Sequence, residues 1–124
     1  MPPTTSLSLF LLHSEDEEQK LTWRVPHQPD AVFVASDGMA FSALRALHTA
    51  RVNVPDDIAV VGFDDLPFAT STHPSLTTVR QPIRRIGAMA AEILLDIIQT
   101  GTEPPRRIIL PTELVIRQSC GALK

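Results

Sequence analysis

The segment DAVFVASDGMAFSALRALHTARVNVPDDIAVVGFDD, residues 30–65, constrains the fold more than any other part of the chain. It spells strand, helix, strand. Ala31–Ala35 is a short apolar run rich in Val and Phe, the pattern of a strand buried on both faces. Ser36-Asp37-Gly38 supplies helix-start chemistry, because a short polar side chain there can accept from the free N–H groups of the first turn. The spacing then predicts a helix over Gly38–Arg51. At ~100° per residue, Met39, Ala40, Ala43, Leu44, Ala46, Leu47 and Ala50 share one broad face. Val54-Pro55-Asp56-Asp57 is a turn, since Pro fixes its own φ and Asp caps neighbouring backbone. Ile58–Gly62 is the second apolar strand, and the chain leaves it through Phe63-Asp64-Asp65. Two parallel strands joined by a right-handed helical crossover satisfy this order most simply. The result is an α/β fold with a βαβ core at residues 31–62.

In open α/β sheets ligands bind outside the carboxyl ends of the strands. Both polar exits, Ser36-Asp37 and Asp64-Asp65, belong to that edge. Each residue also has a plainer role, Asp37 as a helix cap and Asp65 as the end of a turn.

The remaining chain adds elements to this unit. Before it, Ser6–Leu12 has strand character, Ser14–Leu21 could form a turn or two of helix, and Trp23 stands alone among polar residues and prolines. After it, Leu66–Ser75 is an irregular loop holding His73, with no second ligand at metal spacing. Leu76–Gln81 alternates β-branched residues and reads as a third strand, ended by Pro82. Ile83–Thr100 is a second helix, with Ile86, Ala90, Ile93, Leu94 and Ile97 at three- and four-residue steps and Gly101 as its cap. Arg84 and Arg85 at its start read as solvated cations. Thr102–Arg107 is a turn, and Ile108–Leu110 and Glu113–Gln118 are two short strands interrupted at Pro111.

Composition excludes several classes. At 124 residues the chain amounts to about one small domain. A formal net charge of -3 lacks the basic footprint of a nucleic-acid surface. A single cysteine, Cys120, allows no internal disulfide and suits a reducing compartment. No apolar run approaches the ~20 residues of a membrane span. The opening MPPTTSLSLFLLHSEDEEQ lacks the Lys or Arg and the small-residue cleavage site of an export signal, so a cytoplasmic location is expected. No glycine-rich phosphate loop, paired cysteines or nucleophile elbow is present, and neither cofactor nor metal is expected.

Four blocks stand in order: PDAVFVASDGMAFSALRAL, VPDDIAVVGFDDLPFA, HPSLTTVRQPIRRIGAMAAEILLDII and EPPRRIILPTELVIRQSCG. Together they resemble the bacterial LacI/GalR repressors and their relatives, the periplasmic sugar-binding proteins. The resemblance implies part of a periplasmic-binding-protein-like (type I) fold, a parallel sheet flanked by helices. Residues 30–121 would be the C-terminal part of a sugar- or effector-binding domain, 1–29 an unmatched segment and 122–124 a tail. It further implies that Ser36, Asp64 and Gln81 contact a small effector, a carbohydrate, Ser36 standing where the family often has Asn. Phe41 and the loop with Ser71 and Thr72 match the family's dimer interface, so a homodimer is expected. Phe41 falls outside the helix's apolar face, beside Arg45 and His48. In the family the helix after Pro82 packs on the other subdomain.

No helix-turn-helix segment precedes these blocks, so operator DNA is expected to be read by full-length relatives and not by this chain, which is expected to be a truncated or frame-disrupted product or a piece cut from a longer chain. A fragment of a transport-linked periplasmic sugar-binding protein is the second reading. An enzyme built on Asp64-Asp65 is the third; it would need a Lys or a Thr/Ser at the ends of neighbouring strands, plus metal dependence, and the only lysines are Lys20 and Lys124.

Overall fold

The computed structural model describes residues 29–101 and 107–123. The strand and helix expected at Ser6–Leu12 and Ser14–Leu21, Trp23, and the turn at 102–106 lie outside them. Among the described residues the chain divides into two compact units, one running to Arg80 and resuming at Leu114, the other covering Gln81–Glu113.

In the first unit, β1 (Ala31–Phe33) runs parallel to β2 (Ala59–Asp64), and β2 runs parallel to β3 (Thr77–Arg80). The short strand β4 (Glu113–Val115) completes the order β1-β2-β3-β4. Helix α1 (Asp37–Thr49) joins β1 to β2, the expected strand–helix–strand crossover. The register sets Ala31 beside Ala59 and Asp64 beside Arg80.

The wheel drawn from the sequence accounts for the packing of α1. Ala40, Ala43, Leu44 and Leu47 are buried, Met39 and Ala46 are half-buried, and Ala50 is exposed. Below them Val32, Val34, Ile58, Val60, Ala69 and Leu76 complete the core. Fully burying each of the Val, Ile and Leu side chains among them stabilises the fold by about 1.5–3 kcal/mol. The helix stops at Thr49, and Arg51 turns the chain with a left-handed φ of 59°. Asp57 then accepts from the Asn53 N–H at 2.7 Å and fixes the turn into β2.

Three expectations are corrected. The strands are not buried on both faces: β1 and β2 alternate buried and half-buried residues, because α1 covers the Val32, Val34 and Val60 face only. Ile108–Leu110 is no strand, and Ile109 is 75 % exposed; Pro111 ends the run by removing a ladder donor. The strand expected over Glu113–Gln118 ends at Val115. Arg117, Gln118 and Ser119 bond instead to β3 and to the residues before it, and Gln118–Cys120 tightens into a 3-10 turn.

The second unit is dominated by α2 (Ile83–Thr100), with the bounds expected from the sequence and Gly101 as a left-handed cap at φ 80°. It buries no residue. Ile83, Leu94, Leu95 and Ile98 are all more than half exposed. Arg84 and Arg85 are also exposed.

Candidate functional site

The carboxyl edge of the sheet is built from three strand exits. The exit of β1 reaches Ser36, whose Oγ accepts from the Met39 N–H at 3.3 Å and so caps α1. The exit of β2 is a bend in which Asp64 has φ 115° and Asp65 φ 54°. Two successive non-glycine residues at positive φ store strain, of order 1–3 kcal/mol each. The exit of β3 carries Arg80.

Asp37 ties these exits together. It has no exposed surface, although it opens a helix at the edge of the sheet. One carboxylate oxygen accepts from Thr78 Oγ1 at 2.6 Å; the other accepts from the Leu66 N–H at 2.8 Å. Thr78 Oγ1 accepts in turn from the Asp65 N–H at 3.3 Å. The carboxylate fits because residue 62 is glycine: a Cβ there would collide with Asp37 Oδ1 and stand 3.0 Å from Leu76 Cδ2.

Asp65 faces two guanidinium groups. Arg80 Nε donates to Oδ2 and an Arg117 terminal nitrogen donates to Oδ1, both at 2.6 Å. Burial pushes the Asp65 carboxyl up, but the hydrogen bonds and charges of Arg117 and Arg80 outweigh it and hold the group below the usual carboxylate value. Asp65 therefore does more than end a turn; it locks the C-terminal segment to the sheet. Arg117 also donates from its other terminal nitrogen to the Leu76 carbonyl and from its backbone N–H to Thr77 Oγ1, each at 2.8 Å. Two residues on, the buried Ser119 hydroxyl donates to the Val60 carbonyl at 2.6 Å and accepts from the Thr77 N–H at 2.9 Å.

Ser36 and Asp64 thus lie within one unit, each one or two residues from the Asp37–Leu66 bond. Both are half-buried. Gln81, also half-buried, opens the second unit, and its carbonyl accepts from the Ile83 N–H at 2.9 Å. Reading the sequence missed Asp37, Thr78, Arg117 and Ser119 as parts of one polar frame. A signal for Thr78 was present, since consecutive threonines in a central strand send one hydroxyl to each face, where each needs a partner.

On the outer side of α1, the Phe41 ring meets Phe68 edge-on at 5.8 Å, and the two rings stay 43 % and 37 % exposed. Phe68 belongs to a 3-10 turn, Pro67–Thr70, inside the loop read as irregular. Ser71 is exposed, whereas Thr72 is buried and donates to the Ala69 carbonyl. His73 is exposed, and no three His, Cys, Asp or Glu among the described residues are grouped to hold a metal ion. No described helix is long and apolar enough to cross a membrane.

Comparison with known proteins identifies this architecture. A periplasmic binding protein-like domain matches residues 6–120. The probable HTH-type transcriptional repressor ExuR of Bacillus subtilis is 38 % identical over 99 residues, which are 80 % of this chain and 30 % of the relative. A solved complex of the transcriptional regulator CelR with cellobiose is 44 % identical, with a TM-score of 0.70, covering 73 % of this chain and 28 % of that one. A LacI family regulator from Lactobacillus casei with bound sucrose is 43 % identical, with a TM-score of 0.63, covering 74 % and 34 %. The chain therefore spans about a third or less of the length of ExuR and CelR. It belongs to the periplasmic binding protein-like family, as an effector-domain segment of the LacI/GalR type.

Proposed function

We propose that this chain is the C-terminal portion of the effector domain of a LacI/GalR-type transcriptional repressor. It contributes Ser36, Asp64 and Gln81 to the binding of a small carbohydrate effector. The observation that carries this reading is the place of Asp64: it stands partly buried at the carboxyl end of β2, in a turn with positive φ that is held to the sheet through its neighbour Asp65 by Arg80 and Arg117.

The chemistry suits a polyol. A carboxylate can accept two hydroxyl hydrogen bonds, and charge-assisted bonds are about twice as strong as neutral ones. Gln81 offers donors and an acceptor. The Ser36 oxygen already accepts from the Met39 N–H, which leaves its hydroxyl proton and one lone pair to offer. Relatives solved with cellobiose and with sucrose favour a sugar over other small effectors. Their description as regulators favours a repressor, working in the cytoplasm, over a transport protein.

The same reading gives the exposed Phe41–Phe68 pair and Ser71 to a homodimer contact, with Thr72 fixing the turn from beneath. Exposed aromatic anchors of this kind carry much of the energy of an interface. DNA reading belongs to the HTH-bearing relatives and is not assigned to the residues described.

A heteronuclear NMR titration of the 124-residue chain with cellobiose and with sucrose tests the site. The expected result is millimolar binding, with amide shifts concentrated at Ser36, Asp64 to Leu66 and Gln81. Saturable shifts elsewhere, with those positions unmoved, would contradict it.

A further inference from the structure

Asp37 is fully buried, and the effector contacts proposed above make no use of it. We propose that Asp37 is a positioning residue for this edge: its carboxylate holds the Asp64–Asp65 turn in the left-handed conformation that directs Asp64 toward the effector. The inference rests on reading Asp64 as an effector contact.

Helix capping does not explain Asp37. That work is done by Ser36 Oγ on the Met39 N–H, and the Asp37 oxygens bond Leu66 and Thr78 instead. Both bonds converge on the turn. The Leu66 N–H is held directly, and the Asp65 N–H is held through Thr78 Oγ1, the same atom that donates to Asp37. Two consecutive amides of the bend are therefore fixed from one buried side chain.

Such a restraint is needed here. Side chains of L-residues disfavour positive φ, and neither Asp64 nor Asp65 is the glycine that would adopt it freely. Glycine stands instead at residue 62, beneath the carboxylate, where any Cβ would displace it. The sequence keeps a side chain where it is strained and removes one where Asp37 must sit. A turn serving only to reverse the chain would have glycine at residue 64 or 65; a turn presenting a carboxylate cannot.

The test reads the turn without any ligand. The isotope-labelled 124-residue chain and its variants Asp37→Ala, Thr78→Val and Thr78→Ser are compared by NMR, using the scalar couplings and intraresidue NOEs that report the sign of φ. Positive φ at Asp64 and Asp65 is expected in the parent and in Thr78→Ser, which keeps the hydroxyl. Its loss is expected in Asp37→Ala and in Thr78→Val, with the amides of Val60 and Val61 still protected from exchange. A merely stabilising residue would lower protection everywhere and leave the turn's conformation alone. Positive φ retained at both aspartates in Asp37→Ala would overturn the proposal. If Asp37→Ala does not fold, the same result in Thr78→Val overturns it. A wrong assignment of Asp64 to the effector would show differently, as sugar-induced shifts that bypass Asp64 in a parent whose turn is intact.

Discussion

Replacing Ser119 with Ala should be among the most damaging single changes in the first unit, although it removes one oxygen atom. Ser119 has no exposed surface, and its hydroxyl bridges the Val60 carbonyl of β2 and the Thr77 N–H of β3. Alanine leaves both backbone groups without that bridge, in a place water does not reach. An unsatisfied buried donor or acceptor costs about 1–3 kcal/mol, and here there are two. Closure of β2 onto β3 would recover part of the loss, so about 2–4 kcal/mol is expected. Urea unfolding followed by circular dichroism measures it. The midpoint should fall while the slope stays the same, since the surface exposed on unfolding is unchanged. A loss below ~0.5 kcal/mol, the range of an ordinary surface substitution, would refute the claim that this hydroxyl holds the C-terminal segment to the sheet.

Three further outcomes follow from the same contacts. Gly62→Ala should destabilise the chain by about 1–3 kcal/mol, read by the same unfolding curve, because the new Cβ meets Asp37 Oδ1 and Leu76 in a closed core. Asp65 has its folded pKa below the unfolded value, so the unfolded state takes up the proton first as pH falls. Its stabilisation is thus fully present above the ordinary aspartate pKa of about 3.9 and is lost as pH drops through the lower folded value. Asp65→Asn should lower stability at neutral pH and flatten the acid limb of a stability–pH profile; an unchanged acid limb would contradict the two-arginine enclosure. Phe41→Glu should convert a dimeric parent to monomer in sedimentation velocity, and persistence of the dimer would remove Phe41 and Phe68 from the interface.

What the sequence disclosed, and what it concealed, have a common physical cause. Apolar periodicity placed α1, α2 and the first three strands to within a residue or two, because burying a stripe or a face leaves a repeating mark in the chain. Ile108–Leu110 carries the same mark with no strand to pair with, so periodicity alone misled there. The polar frame left no such mark. Asp37, Thr78, Arg117 and Ser119 lie up to about eighty residues apart and meet only when β2 and β3 bring the C-terminal segment alongside. The two adjacent acids show the difference at closest range. The letters at 64 and 65 are identical, and only the folded chain shows that Arg80 and Arg117 both reach the Asp65 carboxylate. On α2 the same periodicity marked a stripe that is not buried among the described residues: Ile83, Leu94 and Ile98 are exposed.

The most direct test of the account is the role of Asp64, measured where the effector domain is whole. Residues 30–121 of this chain would be joined to the rest of a CelR-type effector domain and titrated calorimetrically with cellobiose, with the Asp64→Ala and Asp65→Ala variants alongside. Loss of a charged hydrogen bond costs about 1.5–3 kcal/mol, and a tenfold change in affinity is about 1.4 kcal/mol. Asp64→Ala should therefore weaken cellobiose binding by roughly ten- to a hundredfold with little change in melting temperature, whereas Asp65→Ala should lower the melting temperature and affect affinity much less. Unchanged affinity in Asp64→Ala, with binding impaired in Asp65→Ala, would mean that the effector is held by the other acid.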